Sequence, residues 1–425
     1  MARKMKDSGI DWIGEIPEGW EVSQLKYATR WKSEKGCPDA PVLSLYRDFG
    51  VVPKDSRDDN HNVTSLDTSN YKVVDIGDLV INKMKAWQGS MAVSDYRGIV
   101  SPAYHVCSIT SNKVNKRYLH HLLRNPAYLP EYARLSTGMR IGQWDLGFDD
   151  FKNIPFLIPP LDEQAKIADY LDNGCASLDT ILDKTRSSIE EYKKLKQAVI
   201  TQAVTKGVRG EREMKDSGVE WIGEIPKEWE IKRLKSFCTI VDCKNRTPDV
   251  FPDGKYTVVR TTCIKDCSFS YEGSYQTDTT NFKAWTLKGQ PHKGDIFFTR
   301  EAPVGEACLV PNADNLCMGQ RVMFFRPEDN SDARYIMYSI YGPLVREYIA
   351  SKNSGSTVGH LKLGQVACIP IFYCPPLEQK EIADYLDAKC AEIDGLIAKK
   401  EQLVKELESY KKSLIYEVVT GKREV

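Results

Sequence analysis

The stretch MKDSGIDWIGEIPEGWEVSQLK, starting at Met5, returns at Met214 as MKDSGVEWIGEIPKEWEIKRLK, an offset of 209 in a chain of 425 residues. A repeat of this length constrains architecture more firmly than any local reading of helix or strand, because both copies must fold alike. A second pair lies downstream: IPFLIPPLDEQAKIADYLD from Ile154 matches IPIFYCPPLEQKEIADYLD from Ile369. The match continues into QAVITQAVTKG at Gln197 and KSLIYEVVTGK at Lys412. The chain therefore reads as A-B-A′-B′, with segments expected at 1–155, 156–208, 209–370 and 371–425.

Segment B predicts a long helix, since no proline interrupts Glu163 to Val204 and Lys and Glu alternate along it. Apolar residues recur at seven-residue steps: Leu171, Leu178, Tyr192 and Val199 in the first copy, and Leu386, Ile393, Leu407 and Leu414 in the second. A second stripe is expected at Ile181 and Leu195, and at Leu396, Leu403 and Tyr410, while both copies miss a beat at Thr185 and Lys400. A narrow two-stripe helix needs a partner, and the simplest partner is the other copy. About 42 residues at ~1.5 Å each give a rod of roughly 60 Å. Gly174 and the proline pairs at Pro159 and Pro375 mark where the rods start or bend.

Segment A alternates short β-type runs with turns rich in Gly, Asp and Asn, then closes on a helical pair, NKRYLHHLLRNPAYLPEYARL and DARYIMYSIYGPLVREYIASK. Gly77-Asp78 and Gly294-Asp295 mark an equivalent turn into a strand. The expected fold is α+β: two mixed α/β domains in pseudo-twofold arrangement, separated by two long antiparallel helices that form a coiled coil.

Composition sets bounds on this. With 41% hydrophobic and 28% charged residues the chain is globular, and without a run of ~18 apolar residues it is not expected to span a membrane. The start, MARKMKDSGIDW, lacks the apolar core of a signal peptide, so a cytoplasmic location is expected. Twelve cysteines at non-CxxC spacings read as small buried hydrophobes rather than as zinc ligands or disulfides. The 59 basic and 59 acidic residues balance, which argues mildly against nucleic-acid binding unless the basic groups share one surface.

Equivalent frames with divergent interiors suit a ligand that is itself nearly twofold symmetric and is read in two different ways. Duplex DNA fits, with half-sites held apart at a distance set by the protein. The competing reading is a duplicated coiled-coil scaffold that binds proteins without sequence-specific DNA contact.

IGEIPxxW at Ile13 and Ile222, PPLDEQ and PPLEQ at Pro159 and Pro375, the two IADYLD segments and the VTKG and VVTGK ends, duplicated in this order, resemble the specificity (S) subunits of type I restriction-modification enzymes over essentially the whole chain. The resemblance implies two target-recognition domains, each reading one half of a bipartite asymmetric DNA site in a prokaryotic cytoplasm. It implies that the helices set the gap and dock two methyltransferase (M) subunits. Those subunits would methylate adenine N6 with S-adenosylmethionine, and restriction (R) subunits, where present, would use ATP with Mg. This chain carries neither an adenine-methylase motif nor a GxxxxGK[ST] loop, so the resemblance makes it a recognition subunit without catalytic residues, cofactor or metal of its own.

Direct readout needs side chains that present paired donors or acceptors to base edges. In INKMKAWQGS the cluster Asn82, Lys83, Lys85, Trp87 and Gln88 directly follows a strand, and Thr299, Arg300 and Glu301 occupy the aligned loop of the second copy. Tyr104 aligns with Arg321, next to Gln320. A third pair of loops offers Arg140 and Gln143, and His360 and Lys362, to phosphates. Solvated charged turns and ordinary strand ends explain the same residues without DNA. The acidic pairs Asp58-Asp59 and Asp149-Asp150 read as turns or helix caps rather than as metal ligands.

Overall fold

A computed structural model of the chain describes residues 3–47, 49–57, 64–65, 67–138, 144–353 and 359–425. The chain packs as two compact units: Met1–Arg186 with Gln402–Val425, and Ser187–Glu401. Both unit boundaries fall one residue beyond the missed beats at Thr185 and Lys400.

Each unit is built on one four-stranded antiparallel sheet. In the first unit β1 (Thr29–Lys32), β2 (Asp78–Asn82), β3 (Met91–Val93) and β4 (Tyr104–Ile109) lie in the order β1-β4-β2-β3. In the second, β5 (Cys238–Val241), β6 (Ile296–Arg300), β7 (Val304–Leu309) and β8 (Val322–Pro327) lie in the order β5-β8-β6-β7. The topology is identical although the interior sequences diverge, because the same inward positions stay apolar: Leu79 and Ile81 in β2, Ile296 and Phe298 in β6, all fully buried.

The turn into β2 and β6 is set by its Gly-Asp pair. Gly77 and Gly294 take φ of 88° and 96°, a conformation that strains any residue with a Cβ. The following aspartate is buried and spends its carboxylate locally. Asp78 accepts from the Asp75 N–H (2.9 Å) and from Lys32 Nζ (2.8 Å). Asp295 accepts from the His292 N–H (2.9 Å) and from Arg326 Nη2 (2.7 Å). The turn is duplicated, but its cation comes from a different strand in each unit.

The repeated motifs turn out to be mutual clamps. Trp20 and Trp229 of the IGEIPxxW segments are fully buried, and each carries an arginine on its ring, Arg3 at 5.5 Å and Arg212 at 5.3 Å. Those arginines pair with the glutamates of the proline motifs, Arg3 with Glu163 (2.6 Å) and Arg212 with Glu378 (2.5 Å). The Trp20 N–H also donates to Glu163 (3.0 Å), whereas that of Trp229 is buried without a partner among the described residues. The neighbouring glutamines lock the helical pair: Gln164 Oε1 accepts from the Asn115 N–H (2.7 Å), and Gln379 Oε1 from that of Asp332 (3.0 Å). Asn115 and Asp332 in turn cap their helices by accepting from the Arg117 and Arg334 N–H groups. Finally, the two aspartates of each IADYLD segment hold an arginine, Asp169 and Asp172 on Arg117, Asp384 and Asp387 on Arg334. One motif in the globular part thus fastens to one motif on the helix, twice over.

The helices are α1 (Leu161–Lys206, 46 residues) and α2 (Pro376–Val419, 44 residues), and α1 runs through Gly174 without interruption. Within each unit their segments pair antiparallel. In the first, Asp179 meets Lys411 at 2.5 Å and Arg186 meets Glu408 at 2.6 Å. In the second, Lys196 meets Asp394 at 2.7 Å and Lys400 sits 5.7 Å over the Tyr192 ring. Lys411 and Lys196, like Asp179 and Asp394, are repeat equivalents, so the seam is duplicated as well as the domains.

One stripe lies where the sequence puts it: Leu171, Leu178, Leu386, Ile393 and Leu414 are buried, and Tyr192, Val199 and Leu407 are partly buried. The second stripe differs from expectation. Ile181, Leu195, Leu396, Leu403 and Tyr410 are exposed, and the seam is completed by Leu182, Ile189, Cys390 and Val418, four positions after Leu178, Thr185, Leu386 and Leu414. Thr185 belongs to that seam, buried with its hydroxyl donating to the Ile181 carbonyl at 2.7 Å. No helix among the described residues is long and apolar enough to cross a membrane. All twelve cysteines are free, and burial pushes the thiols of Cys107, Cys308, Cys317 and Cys374 up to about 12.

Candidate nucleic-acid interface

In each unit the candidate residues gather at one end of the sheet, where β2 and β6 leave it. Asn82, the last residue of β2, pairs across the sheet with Tyr104, the first of β4. The chain then winds into a 3-10 turn, Lys83–Gln88, closed by Gly89 at φ 80°. Lys85 and Gln88 are exposed on this turn. Lys83 is tethered to Asp145 at 2.7 Å, and Trp87 meets Trp144 edge-on at 5.3 Å, its buried indole N–H without a partner among the described residues. Arg140 and Gln143 lie outside the described residues, as do Asp58 and Asp59. Asp149 and Asp150 occupy the first turn of the short helix Phe148–Phe151, with Asp149 paired to Lys152.

Three residues absent from the sequence expectation complete this corner. Lys72 is buried, donates to the Tyr104 carbonyl at 2.6 Å and lies 5.1 Å over the exposed Trp31 ring. Burial, followed by the nearby charges of Lys83 and Lys35, lowers its pKa. His105 meets Trp31 at a tilt (4.8 Å) and Phe148 edge-on (5.9 Å), and burial lowers its pKa too. The KV-rich strand around Lys72 gave no signal beyond a lone lysine in an apolar run.

The second unit places different chemistry at the equivalent positions. Thr299 is 0% exposed, and its hydroxyl accepts from the Glu306 N–H at 2.9 Å. It shapes the turn rather than facing outward, which corrects the expectation of a contact residue. Arg300 also points inward: it is 11% exposed, with Nη1 donating to Asp242 (3.0 Å) and Nη2 to Asn245 (3.2 Å). Asp242 and Asn245 lie 58 and 55 positions away in sequence, so no local pattern could reveal this tether.

Glu301, Arg321 and His360 face one another instead. The Glu301 carboxylate stands 3.4 Å from Arg321 Nε and 3.4 Å from His360 Nδ1. The backbone fixes this junction, since the Arg300 N–H donates to the Arg321 carbonyl (3.1 Å) and the Leu361 N–H to the Arg300 carbonyl (3.0 Å). Gln320 is half-buried and its carbonyl accepts from the Cys243 thiol, while Lys362 is exposed at the start of the short helix Leu363–Ala367. Beside them runs a loop missed by sequence reasoning, in which Lys244 and Arg246 lie 4.7 Å and 5.3 Å over the Trp285 ring. Its signal was a run of three basic or amide residues after a strand, Lys244-Asn245-Arg246.

Among the described residues no group of three or more His, Cys, Asp or Glu could hold a metal ion. What the two corners offer is hydrogen-bond donors, cations and exposed rings, the components of a base- and phosphate-contacting surface.

Comparison with known proteins agrees with this geometry. Residues 17–191 and 226–406 match the Type I restriction modification DNA specificity domain. The chain is similar to the MjaX specificity subunit of Methanocaldococcus jannaschii, with 24% identity over 96% of this chain and 95% of the other. It is similar also to the type I restriction enzyme MjaVIII specificity subunit of the same organism, with 26% identity over 96% and 93%. Its fold resembles that of a chain solved in a study of type I R-M system complex assembly and conformational transition, with a TM-score of 0.70 at 16% identity, covering 96% of this chain and 99% of that one. Two copies of one domain, each matched along most of its length, on a frame duplicated down to single ion pairs, place the chain in the family of type I restriction-modification DNA specificity subunits.

Proposed function

We propose that each unit reads one half of a bipartite, asymmetric DNA site, and that α1 and α2 set the unread gap between the halves. The observation that carries this is the pairing of one sheet topology with two side-chain sets at the same strand ends: Asn82, Lys83, Lys85 and Tyr104 in one unit, and Glu301, Arg321 and Lys362 in the other. A shared frame positions both surfaces equally, and the differing donors and acceptors make the two half-sites different. The balanced net charge is no obstacle, because Lys83, Lys85, Lys244, Arg246, Arg321 and Lys362 cluster at the strand ends.

The exposed apolar residues Ile181, Leu403 and Tyr410 of one unit, and Leu195 and Leu396 of the other, support a second role for the helices, as docking surfaces for two methyltransferase subunits. In this reading those subunits bind S-adenosylmethionine and methylate adenine N6. Restriction subunits, where the system has them, bind ATP and Mg. The chain itself contributes address rather than chemistry, in the cytoplasm where the DNA is. A protein-binding scaffold has no observation in its favour, since the matched domain is a DNA specificity domain.

The test is selection of random duplexes by the chain assembled with its methyltransferase partners, followed by sequencing of the retained fraction. Enrichment of two short half-sites at a fixed separation is expected. Retention without any enriched sequence at every salt concentration would refute the reading.

A further inference from the structure

At the reading end of the second unit, Arg300 and Arg321 differ in their surroundings. Arg300 has two of its five N–H donors committed to Asp242 and Asn245 and is 11% exposed. Arg321 is 43% exposed, its buried Nε faces the Glu301 carboxylate, and neither Nη group donates to a described residue. Among the described residues, the part of Arg321 without a partner is the outer edge of the guanidinium fork, while its inner edge faces Glu301 at 3.4 Å.

We propose that Arg321 is the base-reading residue of the second unit, that the base is a guanine, and that Glu301 is its positioning residue. This deepens the DNA-specificity reading above and rests on it. Three arguments converge. A guanidinium presenting two parallel N–H groups matches the O6 and N7 acceptors of guanine in the major groove, and no other base edge offers that pair. Bidentate readout needs a fixed plane, and Glu301 is itself held, by His360 on its other side and by the backbone bonds that join the Arg300, Arg321 and Leu361 segments. A phosphate contact needs no such orientation, and a carboxylate 3.4 Å behind the guanidinium repels a phosphate while leaving an uncharged base edge unaffected. Arg300 then serves inside, tying the Asp242–Asn245 loop to the end of β6. In the first unit the sheet register corrects the alignment by one residue: Asn82 pairs with Tyr104 where Thr299 pairs with Val322, so Ala103 stands at the position of Arg321 and offers no donors, and the proposal places the guanine in one half-site only.

The experiment uses the full chain assembled with its methyltransferase partners and measures relative binding to duplexes carrying every base at each position of the preferred site. Arg321→Ala is expected to reduce discrimination at a single G·C pair by about 5- to 150-fold. Discrimination in the other half-site stays unchanged, which also reports that the assembly is folded. Arg321→Lys, which keeps the charge but not the fork, is expected to lose the same base preference while retaining affinity for unrelated duplexes. Glu301→Gln is expected to weaken preference at that same pair without changing the melting temperature, a shift that a merely structural glutamate would not produce. A uniform loss of affinity across all sequences in Arg321→Ala would make Arg321 a phosphate contact and overturn the proposal. So would an intact preference at every position. A wild-type assembly that prefers no sequence would instead remove the underlying specificity reading, and this assignment with it.

Discussion

At the scale of single residues, this chain separates groups that hold the frame from groups that face outward, and the separation follows burial. Glu378 is 2% exposed and anchors Arg212 at 2.5 Å and Arg209 at 3.7 Å, so its removal leaves a buried guanidinium without a counter-charge. Such losses cost about 3 to 5 kcal/mol, far beyond a surface ion pair. Glu378→Ala is therefore expected to lower the midpoint of urea unfolding of the chain strongly. Lys227→Ala, which breaks an exposed pair with Glu213, is expected to leave the midpoint unchanged and serves as the comparison. An unchanged midpoint in Glu378→Ala would contradict the clamp described for the repeated motifs. The motifs themselves were plain in the sequence, but their purpose was not. That Gln164 bonds Asn115, 49 positions away, or that Asp242 bonds Arg300, is a fact of tertiary approach that no local spacing encodes.

At the scale of elements, the long helices show what periodicity can and cannot decide. The seven-residue step placed Leu171, Leu178, Ile393 and Leu414 on the seam correctly, because a buried helix edge must repeat near that interval. Choosing the second stripe required knowing the side to which the partner lies. Ile181 and Leu182 are adjacent and both apolar, and burial selects Leu182. The stripe left over is available to partners. Replacing Ile181 and Leu403 by Glu is expected to leave thermal stability of the chain nearly unchanged, since both side chains already face solvent. The same double variant is expected to weaken capture of methyltransferase subunits in a pull-down, and full capture would remove the docking role. The rods also carry the spacing argument. A four-residue insertion after Thr185, where the two units meet in sequence, is expected to change the unread gap in the methylated motif while leaving both half-sites intact. An unchanged gap would show that the helices do not set it.

At the scale of the whole molecule, duplication was the one feature of the sequence that carried most of the fold: two units, one topology, two helices with equivalent ion pairs at Lys196 and Lys411. The recognition surfaces were less legible. The strand ends at Asn82 and Arg300 were found because strand-then-turn patterns are local, whereas Lys72, Trp31 and the Lys244–Arg246 loop join the surface only after folding. The proposed function divides along the same line, with the frame common to both units and the proposed reading residues particular to each. The most direct measurement of that claim is single-molecule methylation sequencing of DNA from cells carrying the chain, or a chimera in which residues 237–352 come from a relative of different specificity. The account expects a two-part methylated motif in both strains, with one half replaced in the chimera and the other half and the gap preserved. A motif changed in both halves, or a chimera that still methylates the original site, would contradict it.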